Sequence, residues 1–204
     1  MRAVTTITGT MAPLPRGSVD TDQIIPKQFL KRIERSGYGP FLFYDWARGD
    51  DGEPDPAFPL NKPEHAAASV LITGPSFGIG SSREHAVWAI QDRGFEAVVA
   101  TSFGDIFRNN SYNNGLLPVE LSTPEVDHLL ITAAAAPDTV ITIDLDAQTV
   151  AAPGLQTEFA IDGAVKHRLL NGLDDIALAL EHDDAIAGYE GLRPVWMPTV
   201  SQQR

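Results

Sequence analysis

Short apolar runs rich in β-branched residues alternate with segments of helical periodicity along the first two thirds of the chain. Ser69–Thr73 and Ala97–Ala100 have the length and composition of buried strands, and apolar residues at helical spacing follow each of them. Further strands are predicted at Val4–Met11, which is closed by proline, and at Leu116–Leu121. This alternation of strand and helix predicts a parallel α/β layer.

The last third of the chain has a more mixed pattern. A helix is predicted over Thr123–Ala136, and another over Asn171–Asp183 with Ile176, Ala179 and Leu180 facing inward. Between the two helices three short strands are predicted, at Val140–Leu145, Gln148–Ala152 and Thr157–Ile161. The 204 residues therefore predict one α/β domain that contains a mixed sheet with flanking helices.

A glycine-rich turn joins the strand at 69–73 to the helix that follows it. Gly78 and Gly80 allow a close approach of the backbone to a bound group, and Gly94 suits the position just after a helix. Ser81 and Glu84 have the spacing of a capping box, which predicts that the helix begins there. Helix N–H groups, hydroxyls and a guanidinium would then converge, which predicts a site for a carboxylate or a phosphate.

Two other interpretations of this turn are open to test. A dinucleotide-binding fingerprint fits poorly, because Arg83 stands where the third glycine belongs, and no Gly-Lys-Ser/Thr of a P-loop follows Gly74. Ser81 could serve only as the helix cap. Two adjacent serines with an Arg and a His exceed what capping requires, however, so one hydroxyl could face a ligand.

The segment before the turn contains Asp20 and Asp22, followed by Pro26. Asp22 could be a helix cap or an Asx-turn residue, and Pro26 suits the first turn of a helix that carries Phe29, Leu30 and Ile33 on one side. The stretch at 37–63 is then rich in Gly, Pro, Asp and aromatic residues. We expect it to form a mobile functional loop, or a packed surface loop without a role.

Charge and residue usage exclude several classes of function. Lys plus Arg number 15 against 27 Asp plus Glu, for a net charge of −12, so binding to nucleic acid or to an anionic membrane is not expected. The chain has no Cys and its five His residues form no ligand-spaced pair, so no metal site is expected in it. No apolar run approaches the roughly 18 residues of a membrane span. The expected location is the cytoplasm.

Three segments resemble, in order and at comparable spacing, the small subunits of 3-isopropylmalate dehydratases in the aconitase superfamily. They are VDTDQIIPKQFL (19–30), FGIGSSREHAVWAI (77–90) and SFGDIFRNNSYNNGLLPV (102–119), and KHRLLNGLDDIALAL (166–180) supports them. The resemblance covers nearly the whole chain, and GSSREHA is its most specific part. It implies a single swivelling β/β/α domain of the aconitase small-subunit type over residues 1–204.

The resemblance also implies a site and a partner. Ser81 matches the family's general base, and Ser82 and Arg83 match residues that hold the substrate carboxylate. Asp22 matches a residue near the substrate hydroxyl, and Arg32 is the nearest match to a second substrate-binding Arg. In the family a separate large subunit carries a [4Fe–4S] cluster, and the small subunit binds no cofactor.

The activity implied by the resemblance is that of a hydro-lyase, active only with its large subunit. Such an enzyme isomerises 2-isopropylmalate and 3-isopropylmalate, two small dicarboxylates, through isopropylmaleate in leucine biosynthesis. A related dehydratase of homoaconitate or methylmalate type is the alternative within this class. A non-catalytic module that binds an anion at the helix terminus is the alternative from another class.

Overall fold

A seven-stranded mixed sheet forms the centre of the fold. The computed structural model describes residues 1–31, 34, 36–194, 196 and 197. The strands are β1 Thr6–Leu14, β2 Val70–Thr73, β3 Ala97–Ala100, β4 Leu117–Glu120, β5 Val140–Asp144, β6 Thr149–Ala152 and β7 Leu155–Glu158. Their order across the sheet is β4-β3-β2-β1-β5-β6-β7. The first four strands are parallel and the last three are antiparallel, which confirms the predicted mixed sheet.

Strand β1 joins the parallel and the antiparallel halves of the sheet. Its first half, Thr6–Thr10, pairs with β5, and its second half, Met11–Leu14, pairs with β2. The predicted strand ended too early, at Met11, because proline was expected to close it. Pro13 is tolerated because it lies in the half that pairs on one side only, where a missing N–H costs no ladder bond.

Helices connect the strands and cover both faces of the sheet. They are α1 Thr21–Ile24, α2 Tyr44–Ala47, α3 Glu84–Asp92, α4 Asp105–Asn114, α5 Thr123–Ala135, α6 Gly163–Asn171, α7 Asp175–Leu180 and α8 Asp183–Gly191. Single 3₁₀ turns lie at Lys27–Lys31, Gly39–Phe41, Pro59–Asn61 and Pro63–His65. Where a helix was predicted after Pro26, the described residues form the 3₁₀ turn at Lys27–Lys31. Ile33, which was assigned to that helix, lies outside the described residues.

Two hydrophobic cores lie on opposite faces of the sheet, as the alternation of side chains along a strand requires. Leu71 and Val98 belong to the core with α3 and α4, whereas Ile72 and Val99 belong to the core with α5 and the antiparallel strands. All of these side chains are buried. Burial on both faces explains why these parallel strands have continuous apolar sequences.

The C-terminal part differs from the single helix predicted over residues 171–183. Gly172 adopts a left-handed φ of +65° and ends α6, and the Asp174 carboxylate accepts the Ala177 N–H at 2.8 Å to begin α7. Ile176 and Leu180, predicted to face inward, are 71% and 59% exposed. That prediction was wrong, because nothing in the described part of the chain covers the face that they form.

The stretch at 37–63 contains short helices rather than irregular coil alone. Tyr38 and Phe43 are fully buried in it, and the Phe43 N–H donates to the Ile24 carbonyl of α1 at 2.8 Å. Tyr38, Phe43 and Phe58 therefore belong to one of the two cores, and Phe41 and Trp46 pack against it. The mobility of this stretch stays a prediction. Within the described ranges, no helix combines the length and the apolar character that crossing a membrane requires.

Candidate active site

Three loops meet where the parallel strands end. The loops that follow β1, β2 and β3 are joined by single β-bridges, between Asp20 and Ile79 and between Phe77 and Phe103. Backbone bonds reinforce the first bridge, since the Thr21 N–H donates to the Ile79 carbonyl at 2.8 Å. The carboxyl edge of parallel strands is where α/β proteins usually bind ligands. The sequence segments 19–22 and 77–83 therefore form one unit at that edge.

The two glycines of the turn are required by close approaches within the protein. Gly78 has a φ of +73°, and a Cβ there would lie 2.2 Å from Phe107 Cγ. Gly80 has a φ of +97°, and a Cβ there would lie 2.2 Å from Asp20 Oδ2. Both glycines are therefore required by contacts with side chains of this chain, and the approach of the backbone to a bound group stays a prediction.

Helix α3 begins two residues later than the capping box predicted. Its N-cap is Arg83, in extended conformation and without a side-chain cap, so the prediction of Ser81 as the cap was wrong. The Glu84 carboxylate accepts a bond from Asn114 Nδ2 at 2.9 Å instead of reaching back to Ser81. Gly94 follows the helix with a left-handed φ of +105°, as predicted. The hydroxyl of Ser81 is thereby available for another role.

Ser81 and Ser82 are exposed to solvent, whereas the residue that contacts Ser81 is buried. The Thr21 hydroxyl lies 3.1 Å from Ser81 Oγ, accepts the Ser81 N–H at 3.1 Å and lies 3.2 Å from the Ser81 carbonyl oxygen. Thr21 itself is 1% exposed. Sequence reasoning missed Thr21, because the contact joins residues 60 positions apart and leaves no local signal.

Arg83 forms an ion pair with Asp22 at the start of α3. The pair joins Arg83 Nη1 to Asp22 Oδ1. Asp20, not Asp22, is the N-cap of α1, since its carboxylate accepts the Asp22 N–H at 2.7 Å. The interpretation of Asp22 as a cap was therefore wrong, and its side chain is directed to the guanidinium. Arg32, the proposed second substrate-binding residue, lies outside the described residues.

His85 occupies the first turn of α3, directly after this site. Its ring lies 4.7 Å from that of Trp88 and 5.4 Å from that of Tyr38, measured between centroids. Burial lowers the pKa of His85, Glu84 opposes this shift, and the positive charge of Arg83 adds to it. The imidazole is therefore neutral near pH 7 and adds no second positive charge beside Arg83.

The site combines a solvent-facing hydroxyl, a guanidinium and the N–H groups of a helix terminus. The first N–H groups of a helix lack partners within the helix and carry partial positive charge, so a carboxylate is stabilised beside them. No group of three or more His, Asp or Glu side chains that could hold a metal ion occurs in the described ranges. The fold and the site thus define an α/β domain whose exposed edge carries groups of the kind that can bind a carboxylate.

Comparison with known proteins gives the family. A family model described as the aconitase C-terminal domain matches residues 1–124, and one described as LeuD_N matches residues 127–163. The 3-isopropylmalate dehydratase small subunit of Rubrobacter xylanophilus is 52% identical over 200 residues, which cover 98% of this chain and 100% of the relative. That of Brevibacillus brevis is 52% identical over 187 residues, which cover 91% and 96%.

A solved structure agrees with these matches. The crystal structure of 3-isopropylmalate dehydratase from Methanocaldococcus jannaschii aligns with a TM-score of 0.63 and 27% identity, over 91% of this chain and 99% of that one. The chain belongs to the family of 3-isopropylmalate dehydratase small subunits, within the aconitase superfamily. The resemblance found in the sequence and the fold class that it implied are both confirmed.

Proposed function

We propose that this chain is the small subunit of a cytoplasmic hydro-lyase that interconverts 2-isopropylmalate and 3-isopropylmalate through isopropylmaleate in leucine biosynthesis. Relatives that share about half of its residues at aligned positions are named as the small subunit of that enzyme. The observation that carries the proposal is the exposed Ser81, whose carbonyl accepts the backbone N–H of Arg83 at 2.9 Å just before helix α3 begins.

In the proposed reaction Ser81 is the general base. Ser81 Oγ, in its ionised form, takes the proton from the carbon next to a substrate carboxylate. The electrons of that C–H bond form the double bond of isopropylmaleate, and the hydroxyl leaves the neighbouring carbon with its electron pair. Addition of water with the opposite orientation returns the proton and gives the isomer, which balances the reaction without an oxidant or a reductant.

An ionised serine is costly near neutral pH, so its surroundings must stabilise negative charge. We propose that Arg83 and the N–H groups of the first turn of α3, which begins directly after Arg83, stabilise the charge of both the alkoxide and the substrate carboxylate. Ser82 is exposed next to them and can donate its hydroxyl to the same carboxylate. Asp22, beside Arg83, is proposed to orient a proton donor of the partner chain near the substrate hydroxyl.

The proposal assigns the departing hydroxyl to the partner. The names of the relatives imply a large subunit, and the aconitase relationship supports a [4Fe–4S] cluster on that subunit as the Lewis acid that activates this hydroxyl. This chain contains no Cys and so supplies no thiolate to such a cluster. Its contribution is the proton transfer and the binding of the carboxylate.

Reconstitution with the large subunit of the same organism tests the role of Ser81. Ser81→Ala is expected to lower kcat about a thousandfold, because it removes a base together with its stabilised charge. Thr8→Ala is the matched control, since Thr8 is an exposed hydroxyl on β1 that pairs with Thr142 at 3.3 Å. A Ser81→Ala rate within about threefold of the parent would refute the assignment.

Within this class of dehydratases, the candidate substrates differ in the side group that they carry. The segment that follows α1 contains Phe29 and Phe41, stacked with ring centroids 4.2 Å apart, and Tyr44 packs on Phe29 at 4.9 Å. An apolar segment favours isopropyl over the additional carboxylate of a homoaconitate-type substrate. Comparison of kcat/KM for isopropylmalate with those for homoaconitate and methylmalate tests this, and a preference for either of the latter would contradict it.

The alternative of a non-catalytic anion-binding module is less well supported. Asp22 already pairs with the guanidinium that such a module would use. A bound phosphate would compete with the Asp22 carboxylate for this guanidinium, and a module without catalysis would gain no reaction rate in return. Isothermal titration of the isolated chain with phosphate distinguishes the two functions, since only the binding module is expected to show saturable, tight binding.

A further inference from the structure

The buried Thr21 hydroxyl contacts three atoms of a single residue. It lies 3.1 Å from the Ser81 nitrogen, 3.2 Å from the Ser81 carbonyl oxygen and 3.1 Å from Ser81 Oγ. A threonine hydroxyl has one proton to donate and two lone pairs to accept with. It can therefore donate to the Ser81 carbonyl while accepting both the N–H and the Oγ–H of Ser81, and this arrangement satisfies every group.

The same hydroxyl can reverse its direction when Ser81 loses its proton. An ionised Ser81 Oγ donates nothing and is a strong acceptor, so the Thr21 proton is drawn from the carbonyl oxygen to the alkoxide by rotation about one C–O bond. The new bond is charge-assisted and therefore stronger than the neutral bond that it replaces. The lost bond to the Ser81 carbonyl costs less, because water can replace it at an exposed residue.

We propose that Thr21 is a positioning residue that fixes Ser81 at the edge of the sheet and stabilises the ionised form of its hydroxyl by donating a hydrogen bond to it. This rests on the proposed role of Ser81 as the base. Because Thr21 is only 1% exposed, it acts through Ser81 in this proposal. Its own backbone N–H is held by the Ile79 carbonyl at 2.8 Å, so the donor is placed before the substrate arrives.

The test compares Thr21→Val and Thr21→Ser in the reconstituted enzyme with its large subunit. Valine keeps the shape and loses the hydroxyl, so kcat is expected to fall about 10- to 100-fold while KM stays within about twofold. The acid limb of the plot of log kcat against pH should shift to higher pH by about one to two pH units, because the alkoxide is then harder to form. Thr21→Ser should restore both quantities.

Thr73→Val is the matched structural control. Thr73 is also fully buried, and its hydroxyl donates to the Arg16 carbonyl at 3.1 Å, with no contact to Ser81. We expect it to lower thermal stability without moving the pH profile. If Thr21→Val changed only thermal stability, as the control does, the proposal would be overturned.

A double variant separates this proposal from the proposed function. If Thr21 acts through Ser81, the variant that combines Thr21→Val with Ser81→Ala should be no slower than Ser81→Ala alone. Additive losses would overturn the role of Thr21 and leave the role of Ser81 intact. A Ser81→Ala enzyme with nearly full activity would instead overturn the function of Ser81, and the role of Thr21 with it.

Discussion

Arg83 and Asp22 form an ion pair across two loops that follow different strands of the sheet. The Arg83 side chain is 19% exposed and that of Asp22 is 54% exposed, so one side of the pair faces water. A guanidinium at a helix N-terminus opposes the helix dipole, and Asp22 compensates for this in the isolated subunit. Under the proposed function, a substrate carboxylate would approach a cation that already has a partner, and we expect the pair to rearrange when the substrate binds.

Replacing Asp22 by Asn should separate binding from turnover. We expect KM for isopropylmalate to stay the same or fall, since a competing carboxylate is removed from Arg83, while kcat falls about 10-fold or more. Steady-state kinetics of the reconstituted enzyme measure both. Asp105→Asn is the control, because Asp105 is an exposed aspartate that pairs with Arg108 at 3.4 Å. An unchanged kcat would show that Asp22 has no part in the chemistry.

Replacing Arg83 by Gln should mainly weaken substrate binding. The loss of a charged donor to a carboxylate is expected to raise KM about 10- to 100-fold. The KM of Arg83→Lys should lie between those of the parent and Arg83→Gln, because an ammonium keeps the charge but cannot bind both carboxylate oxygens as the planar guanidinium does. Arg108→Gln, which removes an arginine paired with Glu120 at 3.1 Å, is the control. Equal KM values for Arg83→Gln and this control would contradict the assignment.

Replacing Gly80 by Ala should disrupt the site as well as the backbone. Its Cβ would meet the Asp20 carboxylate that caps α1, so we expect activity to fall by at least about 10-fold beyond any loss of stability. Gly94→Ala is matched to it, since Gly94 has a similar φ of +105° with nothing within 4 Å of the added carbon. That control should cost only about 1 to 2 kcal/mol of unfolding free energy and leave kcat unchanged. Equal activities of Gly80→Ala and Gly94→Ala would show that the contact with Asp20 is unimportant.

The pH dependence of stability should report the neutral state of His85. Burial lowers its pKa in the folded protein below the ordinary 6.5, so the unfolded chain binds this proton more readily. The contribution of His85 to the unfolding free energy is therefore lost as pH falls from about 7.5 through 6.5, until the folded pKa is passed. Urea denaturation at several pH values should show a smaller loss for His85→Phe than for the parent. His182→Phe, at an exposed residue, is the control for the exchange of a histidine for phenylalanine.

The periodicity of the sequence predicted most of the architecture. The strands β2 and β3 and the helix α5 lie within one residue of their predicted bounds, because continuous apolar runs and a proline in the first helical turn are local signals. Gly94 ends its helix as predicted, with a left-handed φ of +105°. Such features depend on neighbours in the chain and can be recognised without the fold.

Predictions that depended on distant contacts were less successful. Ser81 has the spacing of a helix cap, but the hydroxyl of Thr21 holds its backbone, and the cap moves to Arg83. Ile176 and Leu180 have inward spacing, but no element among the described residues covers them. In the first case a distant contact overrode the local pattern. In the second case the local pattern gave no information on whether another element covers the helix.

The sequence alone determined which stretches are buried strands, which residue types could handle a carboxylate and which family the chain resembles. It also excluded cysteine ligation of an iron–sulfur cluster by this chain, because there is no Cys. Only the tertiary structure decided that Thr21 contacts Ser81 and that Asp22 pairs with Arg83. The physical reason is that parallel strands joined by crossover segments bring loops from distant parts of the chain to one edge, and pairing across that edge leaves no periodic trace in the sequence.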